Sequence, residues 1–305
     1  MALGTNNTTA AIAGNFIPEL WSDEVVGAYK SNLVVANLVT KLSHKGKKGD
    51  TIYIPVPERG SASVKAAGNQ VTLSAATNDK VTVSINKHYE YSKLIEEVQA
   101  LASFRKFYTD DAGYALAKQV DSDLFTLAET FAKTGVGVVG GTGAAMYEKA
   151  VIGSNGTTLY TGNSSNAADI TDAGIRAMIL KLDNANVPMD NRYIVMPPIA
   201  ANDLLGINRF TEQQFIGNGD AIKTGKIGMI YGMEVYVSTN CPTATSTDRV
   251  GMMMHKDALV LAEQVGVRSQ TSYKQEYLAD LFTSDTIYGY QTLRHDAGVA
   301  FVVPA

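Results

Sequence analysis

Gly135, Gly137 and Gly140 stand in the spacing G-x-G-x-x-G, which in a nucleotide-binding protein lets backbone amides approach a pyrophosphate at a helix N-terminus. That chemistry needs a strand before the glycines, a helix after them, and an acidic residue about 20 positions further on. Here a long helical pattern precedes them, more glycine follows, and Tyr160 occupies the position where the acid should stand. A flexible turn between domains accounts for the glycines. The segment GNGDAIKTGKIG is a near miss for a phosphate-binding loop: Gly219 to Gly225 is one residue too long, and Ile227 stands where Ser or Thr would hold magnesium.

The four histidines, His44, His88, His255 and His295, are far apart, and no pair has the three- or four-residue spacing that puts two imidazoles on one helical face. His255 and His295 could meet in space, but a hydrogen-bonded structural role is the simpler expectation for each. Carboxylates pair at Glu96 with Glu97, Asp110 with Asp111, and Asp121 with Asp123. Neighbouring positions on a helix point in different directions, so these do not converge as acid and base. Asp110 and Asp111, with Thr109, suit a helix start, where negative charge meets the positive end of the dipole. Cys241 precedes Pro242, has no histidine near it in sequence and is the single cysteine; it excludes an intramolecular disulfide or a multi-cysteine zinc site. No G-x-S-x-G elbow occurs. The expectation is no catalytic, cofactor-binding or metal-binding residue, no cofactor, and no enzyme activity.

What remains is a chain of 305 residues, 45% hydrophobic and 18% charged, with a formal net charge of −4. That is enough apolar content for a sizeable core. The charge argues against tight gripping of DNA, which takes a basic stripe. The one dense basic patch, Lys41, His44, Lys45, Lys47 and Lys48, encloses Gly46 and Gly49 and reads as a solvated turn rather than a nucleic-acid contact. No stretch approaches a membrane span and no secretory signal is visible, so a soluble, intracellular chain is expected.

The elements that would position any function follow from periodicity. Residues 1–15 are small and polar and predict a flexible arm, and 16–42 are partly helical, with Trp21, Val25, Val26 and Tyr29 at helical spacing. From Asp50 the period becomes two: Ile52, Ile54 and Val56 form one apolar face, and Val81, Val83 and Ile85 repeat it. Between those arms lie residues rich in Ser, Ala, Gly, Thr and Asn. Such a hairpin cannot bury enough apolar surface alone, and it needs another molecule to lie on. A short helix is expected over 94–107 and a long spine over 108–133, with Ala112, Leu116, Val120, Leu124, Leu127, Ala128 and Phe131 as its stripe and Gly135 at its cap. Further on come a helix at 170–186, a strand at 192–196, a helix at 199–205, and two strands parted near Gly232. Residues 249–254 and 258–262 read as buried strand or strand-to-helix segments, and 286–292 and 297–303 as strands. Helices and strands interleave without a doubly wound rhythm, which makes the fold class α+β.

In their order, the segments FIPELWSDEVVGAYKSNLVVANLV, KKGDTIYIPVPE, VTVSINKHYEYSKLI, RYIVMPPIAANDLL and GKIGMIYGMEVYVSTN resemble those of tailed-bacteriophage major capsid proteins of the Hong Kong 97-type fold. The resemblance implies an N-terminal arm (1–45), an extended β-hairpin loop (46–90), a peripheral domain with the spine helix (91–134), an axial domain (135–250), and a return to the peripheral domain (251–305). It also implies a homo-oligomer of hexamers and pentamers in an icosahedral shell that encloses double-stranded DNA without sequence-specific binding. Separate scaffolding, portal and decoration proteins would be the partners, with assembly in the bacterial cytoplasm and a final place in the virion. Some relatives crosslink subunits through Lys and Asn; Lys65 and Lys80 lie in the hairpin, but no Asn partner is evident and no crosslink is expected. The alternatives are an encapsulin-like compartment, which would need an inner pocket for a cargo peptide, and another phage structural protein such as a tail or decoration protein, against which the long helix speaks.

Overall fold

In a computed structural model of the chain, the described residues are 34–44, 49–56, 79–96, 104–132, 150–161, 166–207, 228–244 and 247–305, with a few positions between 60 and 70. The arm before 34, the glycine-rich turn at 135–143 with its cap Gly135, the near P-loop before Gly228, and Lys45, Lys47 and Lys48 lie outside them.

The elements run α1 (Val35–Leu38), β1 (Thr40–Ser43), β2 (Thr51–Val56), β3 (Asp79–Ser84), β4 (Lys87–Glu96) and α2 (Phe104–Thr126), which tightens into a 3-10 stretch at Leu127–Ala132. After β5 (Val151–Ile152) come α3 (Asp172–Asn184), β6 (Arg192–Met196), α4 (Pro198–Leu205), β7 (Met229–Ile230) and β8 (Met233–Val237). The chain finishes with β9 (Arg249–His255), β10 (Leu259–Lys274), β11 (Ala279–Thr292) and β12 (Gly298–Val303).

A six-stranded mixed sheet, ordered β5-β12-β9-β6-β8-β7, carries the main core. Its central strands read as unbroken apolar runs, GVAFVV in β12 and VGMMM within β9, because both of their faces are buried. Helix α3 covers it with Ile175, Met178 and Leu182, spaced three and four apart. Thr171 caps that helix, its hydroxyl oxygen accepting the Gly174 N–H at 3.1 Å. Pro198 starts α4, where its missing N–H costs nothing.

The second sheet, ordered β1-β10-β11-β4, is a long blade. Strands β10 and β11 form one antiparallel hairpin whose register runs from Leu259↔Thr292 to Lys274↔Ala279; 16 residues of β10 reach about 50 Å at ~3.3 Å each. Strand β4 pairs with β11 from Lys87↔Tyr288 to Glu96↔Ala279. Helix α2 lies on one face, where Ile95 and Phe282 bury against Ala112. The spine's expected stripe is its buried face: Ala112, Leu116, Leu124, Leu127, Ala128 and Phe131 are all under a tenth exposed, and Val120 packs partly buried beside them.

Three expectations change. The short helix over 94–107 is replaced at its start by the end of β4, since Leu94 and Ile95 pair with Leu281 and Asp280; α2 begins at Phe104. Asp110 and Asp111 therefore lie beyond the first turn of α2, and Asp111 accepts the Tyr91 hydroxyl proton at 3.2 Å. The segments expected as strand or strand-to-helix at 258–262 and as strand at 286–292 are the inner halves of β10 and β11, whose outer halves carry runs of Ser, Thr and Gln.

Two buried carboxylates on α2 join these parts. Asp121 accepts the N–H groups of Val35 (2.8 Å) and Ala36 (3.3 Å), and the Asn240 amide at 3.3 Å. It thereby caps α1 and ties the residues after the arm to the turn following β8. Asp123 accepts the Tyr288 hydroxyl at 2.8 Å and the Gln119 amide at 2.9 Å, fastening β11 to the spine. Burial and the neighbouring Asp123 carboxylate push the Tyr288 phenol upward, so it stays a hydrogen-bond donor. The two aspartates serve different partners and do not converge, as their spacing implied.

Burial also raises Asp121 above the usual carboxylate range, against the N–H donors that lower it. A raised carboxyl favours the folded state most at acid pH, and that contribution is lost as pH rises through its folded pKa. Asp121→Ala is expected to destabilise the unassembled chain by about 2 kcal/mol through orphaned buried N–H groups. Asp121→Asn should keep those N–H bonds, with the Asn240 amide turned to accept, and should flatten the fall in stability as pH rises above the ordinary carboxylate value of about 4. Urea midpoints followed from about pH 4 upward check both.

Candidate assembly interface

The hairpin of β2 and β3 is held at its root and bare beyond it. Its ladder runs from Thr51↔Ser84 to Val56↔Asp79, and the Ile85 N–H donates to the Asp50 carbonyl at 2.6 Å. At the root, Val83 and Ile85 bury against Val260 and Ala262, with Leu42, Ile52, Ile54 and Ile287 around them. These are the apolar positions of the alternating pattern, placed on one face by the pleat. The crossing depends on Gly289: a Cβ there would run into the Ser84 carbonyl and the Ile85 backbone. Only a residue without a side chain lets the root lie this close on β11.

On the other face of the ribbon and toward its tip, the large side chains are not buried by the described residues: Tyr53 is 60% exposed, Val56 40% and Val64 wholly so. The Lys80 ammonium sits 4.4 Å from the Tyr53 ring centroid, a contact that shields part of that ring. Lys65 is exposed. A two-stranded ribbon of this kind is at best marginal without a surface beneath it.

The candidate chemical residues are brought to separate places. His255 Nδ1 accepts the Asp257 N–H at 3.1 Å, His295 Nδ1 lies 3.1 Å from the Thr130 carbonyl oxygen, and His88 Nε2 is 3.1 Å from Asp285. Arg268 forks onto both Asp285 oxygens at 2.7 and 2.8 Å and holds that carboxyl below the usual range. Together they strap β10, β11 and β4 across the open face of the blade. Among the described residues no group of three His, Cys, Asp or Glu side chains could hold a metal ion. Cys241 lines a shallow cavity of about 280 Å³ with Pro197, Pro198, Ile199, Thr239 and Arg249. Burial pushes its thiol up to about 12, which leaves no thiolate to act as a nucleophile. No helix among the described residues is long and apolar enough to cross a membrane. The surfaces that stand out are therefore the two projecting ribbons, of which only the β2–β3 hairpin was legible from composition.

A family model described as phage capsid protein matches residues 98–305. The fold is similar to that of Mycobacterium phage Che8, with a TM-score of 0.71 at 23% identity over 94% of this chain and 97% of that one. It is similar to the capsid of cyanophage P-SCSP1u, with a TM-score of 0.74 at 20% identity over 99% and 96%. The cyanophage Pam1 capsid gives 0.67 at 16% identity over 100% and 99%. No curated protein sequence matches the chain.

Gly289→Ala should force the hairpin root off β11 and cost roughly 1–3 kcal/mol, the scale of inserting a methyl into a packed contact. Limited proteolysis of the unassembled chain checks it: cleavage within 57–78 should be no slower, and cleavage at the root, near 85–87, should appear only in the variant.

Proposed function

The chain belongs to the phage capsid protein family, as a major capsid protein, and we propose that it builds its shell as hexamers and pentamers closing icosahedrally around double-stranded DNA. The observation that carries the mechanism is the β2–β3 hairpin, rooted on Val260, Ala262 and Ile287 but uncovered beyond them. In a shell its uncovered part lies over a neighbouring subunit, which supplies the apolar cover that its own chain does not. Each such contact is modest, and the stability of the particle comes from repeating it around closed rings, where one contact holds the next at high effective concentration.

In this scheme residues 1–45 form the arm, 46–90 the extended loop, 91–134 the spine-bearing peripheral part, 135–250 the axial part, and 251–305 the return. Strands β9 and β12 supply central strands to the sheet of β5 to β8, so the return segment also ties the axial part to the rest. The chain acts as a container wall and catalyses nothing. Its net charge of −4 suits an inner surface that must not trap packaged DNA, since single-signed basic surfaces are what bind the phosphate backbone. Scaffolding, portal and decoration proteins are its expected partners, and the host cytoplasm its place of assembly.

Expression of the chain, with a scaffolding protein where one is required, followed by negative-stain electron microscopy should give closed polyhedral shells or rings of five and six. Deleting residues 60–78 should abolish them while the remaining chain keeps its circular dichroism. A chain that stays monomeric at every concentration would refute the assignment.

A further inference from the structure

The shallow cavity beside Cys241 lies where the chain enters the described fold. Asp121 accepts the Val35 N–H on one oxygen at 2.8 Å and the Asn240 amide on the other at 3.3 Å, so Val34 and Val35 stand beside the turn after β8. Thr239 and Cys241, the two sequence neighbours of Asn240, line the cavity with Pro197, Pro198, Ile199 and Arg249. At about 280 Å³ it falls below the usual range of a small-molecule site and suits one large side chain.

The lining says which side chain. Pro197, Pro198 and Ile199, at the end of β6 and the start of α4, give apolar contact. The Arg249 guanidinium is held in place, its Nη1 donating to the Cys241 carbonyl at 3.4 Å and to the Thr243 hydroxyl at 3.0 Å. Among the described residues no carboxylate is paired with it. A planar cation beside proline rings is a setting in which an aromatic side chain, tryptophan above all, gains burial and a cation–π contact together.

The chain has a single tryptophan, Trp21, thirteen residues before Val34. That tether spans about 20 Å as helix and about 45 Å extended, so in either form it reaches a cavity adjoining the entry point. Glu19, Asp23 and Glu24 surround Trp21 in sequence, negative charge to meet the Arg249 cation. Because the arm is joined covalently at Val34, the contact forms at high effective concentration and needs only modest intrinsic affinity. We propose that Trp21 docks in this cavity of its own chain, against Pro197, Pro198 and Arg249. The contact is a latch, which withholds the arm from other copies while the subunit is free.

The lone tryptophan makes the test direct, since all indole fluorescence comes from Trp21. In the dilute, unassembled chain its emission should be blue-shifted from that of the urea-unfolded chain. Acrylamide should quench it about threefold less than in Arg249→Met, the scale of one lost cation–π contact, with circular dichroism unchanged. Independently, a chain carrying Ser22→Cys and Thr239→Cys should form an internal disulfide on mild oxidation, seen as a faster monomer band on a non-reducing gel; the natural Cys241 is buried and does not compete. Equal quenching of Trp21 in parent and Arg249→Met, absence of the internal link, or a link formed only between chains would each overturn the proposal. All of these readouts use the unassembled chain, so their failure leaves the shell assignment intact.

Discussion

Strand β11 is the member on which the rest of the structure depends. It is paired along both edges, to β10 over Ala279–Thr292 and to β4 over Ala279–Tyr288. Its Phe282 lies under the spine helix, and its Tyr288 is hydrogen-bonded to Asp123 of that helix. At Gly289 it gives way to the hairpin root, which could not cross if a side chain stood there. Blade, spine and extended hairpin are therefore set by one strand, and a shift in its register would move all three. A one-residue slip would also exchange its buried and open faces, so the register is strongly specified.

The spine helix works on the same frame from the other side. Asp121 and Asp123 lie two positions apart and so point to different neighbours, one to the backbone at α1 and to Asn240, the other to Tyr288. Buried carboxylates are costly unless fully hydrogen-bonded, and each here has at least two donors. They add directional bonds between parts that also share one apolar core, where α1, the spine, Tyr288 and Cys241 pack together. For a subunit that must fit many identical neighbours, fixed placement of the projecting ribbons matters more than a larger core.

Much of this was legible in the sequence because it rests on local rules. The spine's stripe from Ala112 to Phe131 is spacing alone, β6 at Arg192–Met196 is bounded by Pro197, and the arms Thr51–Val56 and Asp79–Ser84 show period-two alternation. The outer blade was not legible. Gln270, Thr271, Ser272, Thr283 and Ser284 carry no hydrophobic period, because one face of that ribbon is open and the other is only partly covered by α2. Their strand character comes from pairing across the hairpin, which no local window contains. Leu94 and Ile95 were misread for the same reason: LIEEVQAL has good helix formers, and pairing with Leu281 and Asp280 overrides them. Gly289 looked like any glycine in a strand; its role is a contact with Ser84 and Ile85, far earlier in the chain.

The central claim is that the β2–β3 hairpin is rooted by its own chain and covered by another. Hydrogen–deuterium exchange of unassembled and assembled protein tests it most directly. The account predicts slow exchange at 51–52 and 83–85 in both states, and exchange at 53–56 and 79–82 that is fast in the free chain and slows by at least tenfold on assembly, the equivalent of about 1.4 kcal/mol. Equal exchange of those segments in both states would contradict it.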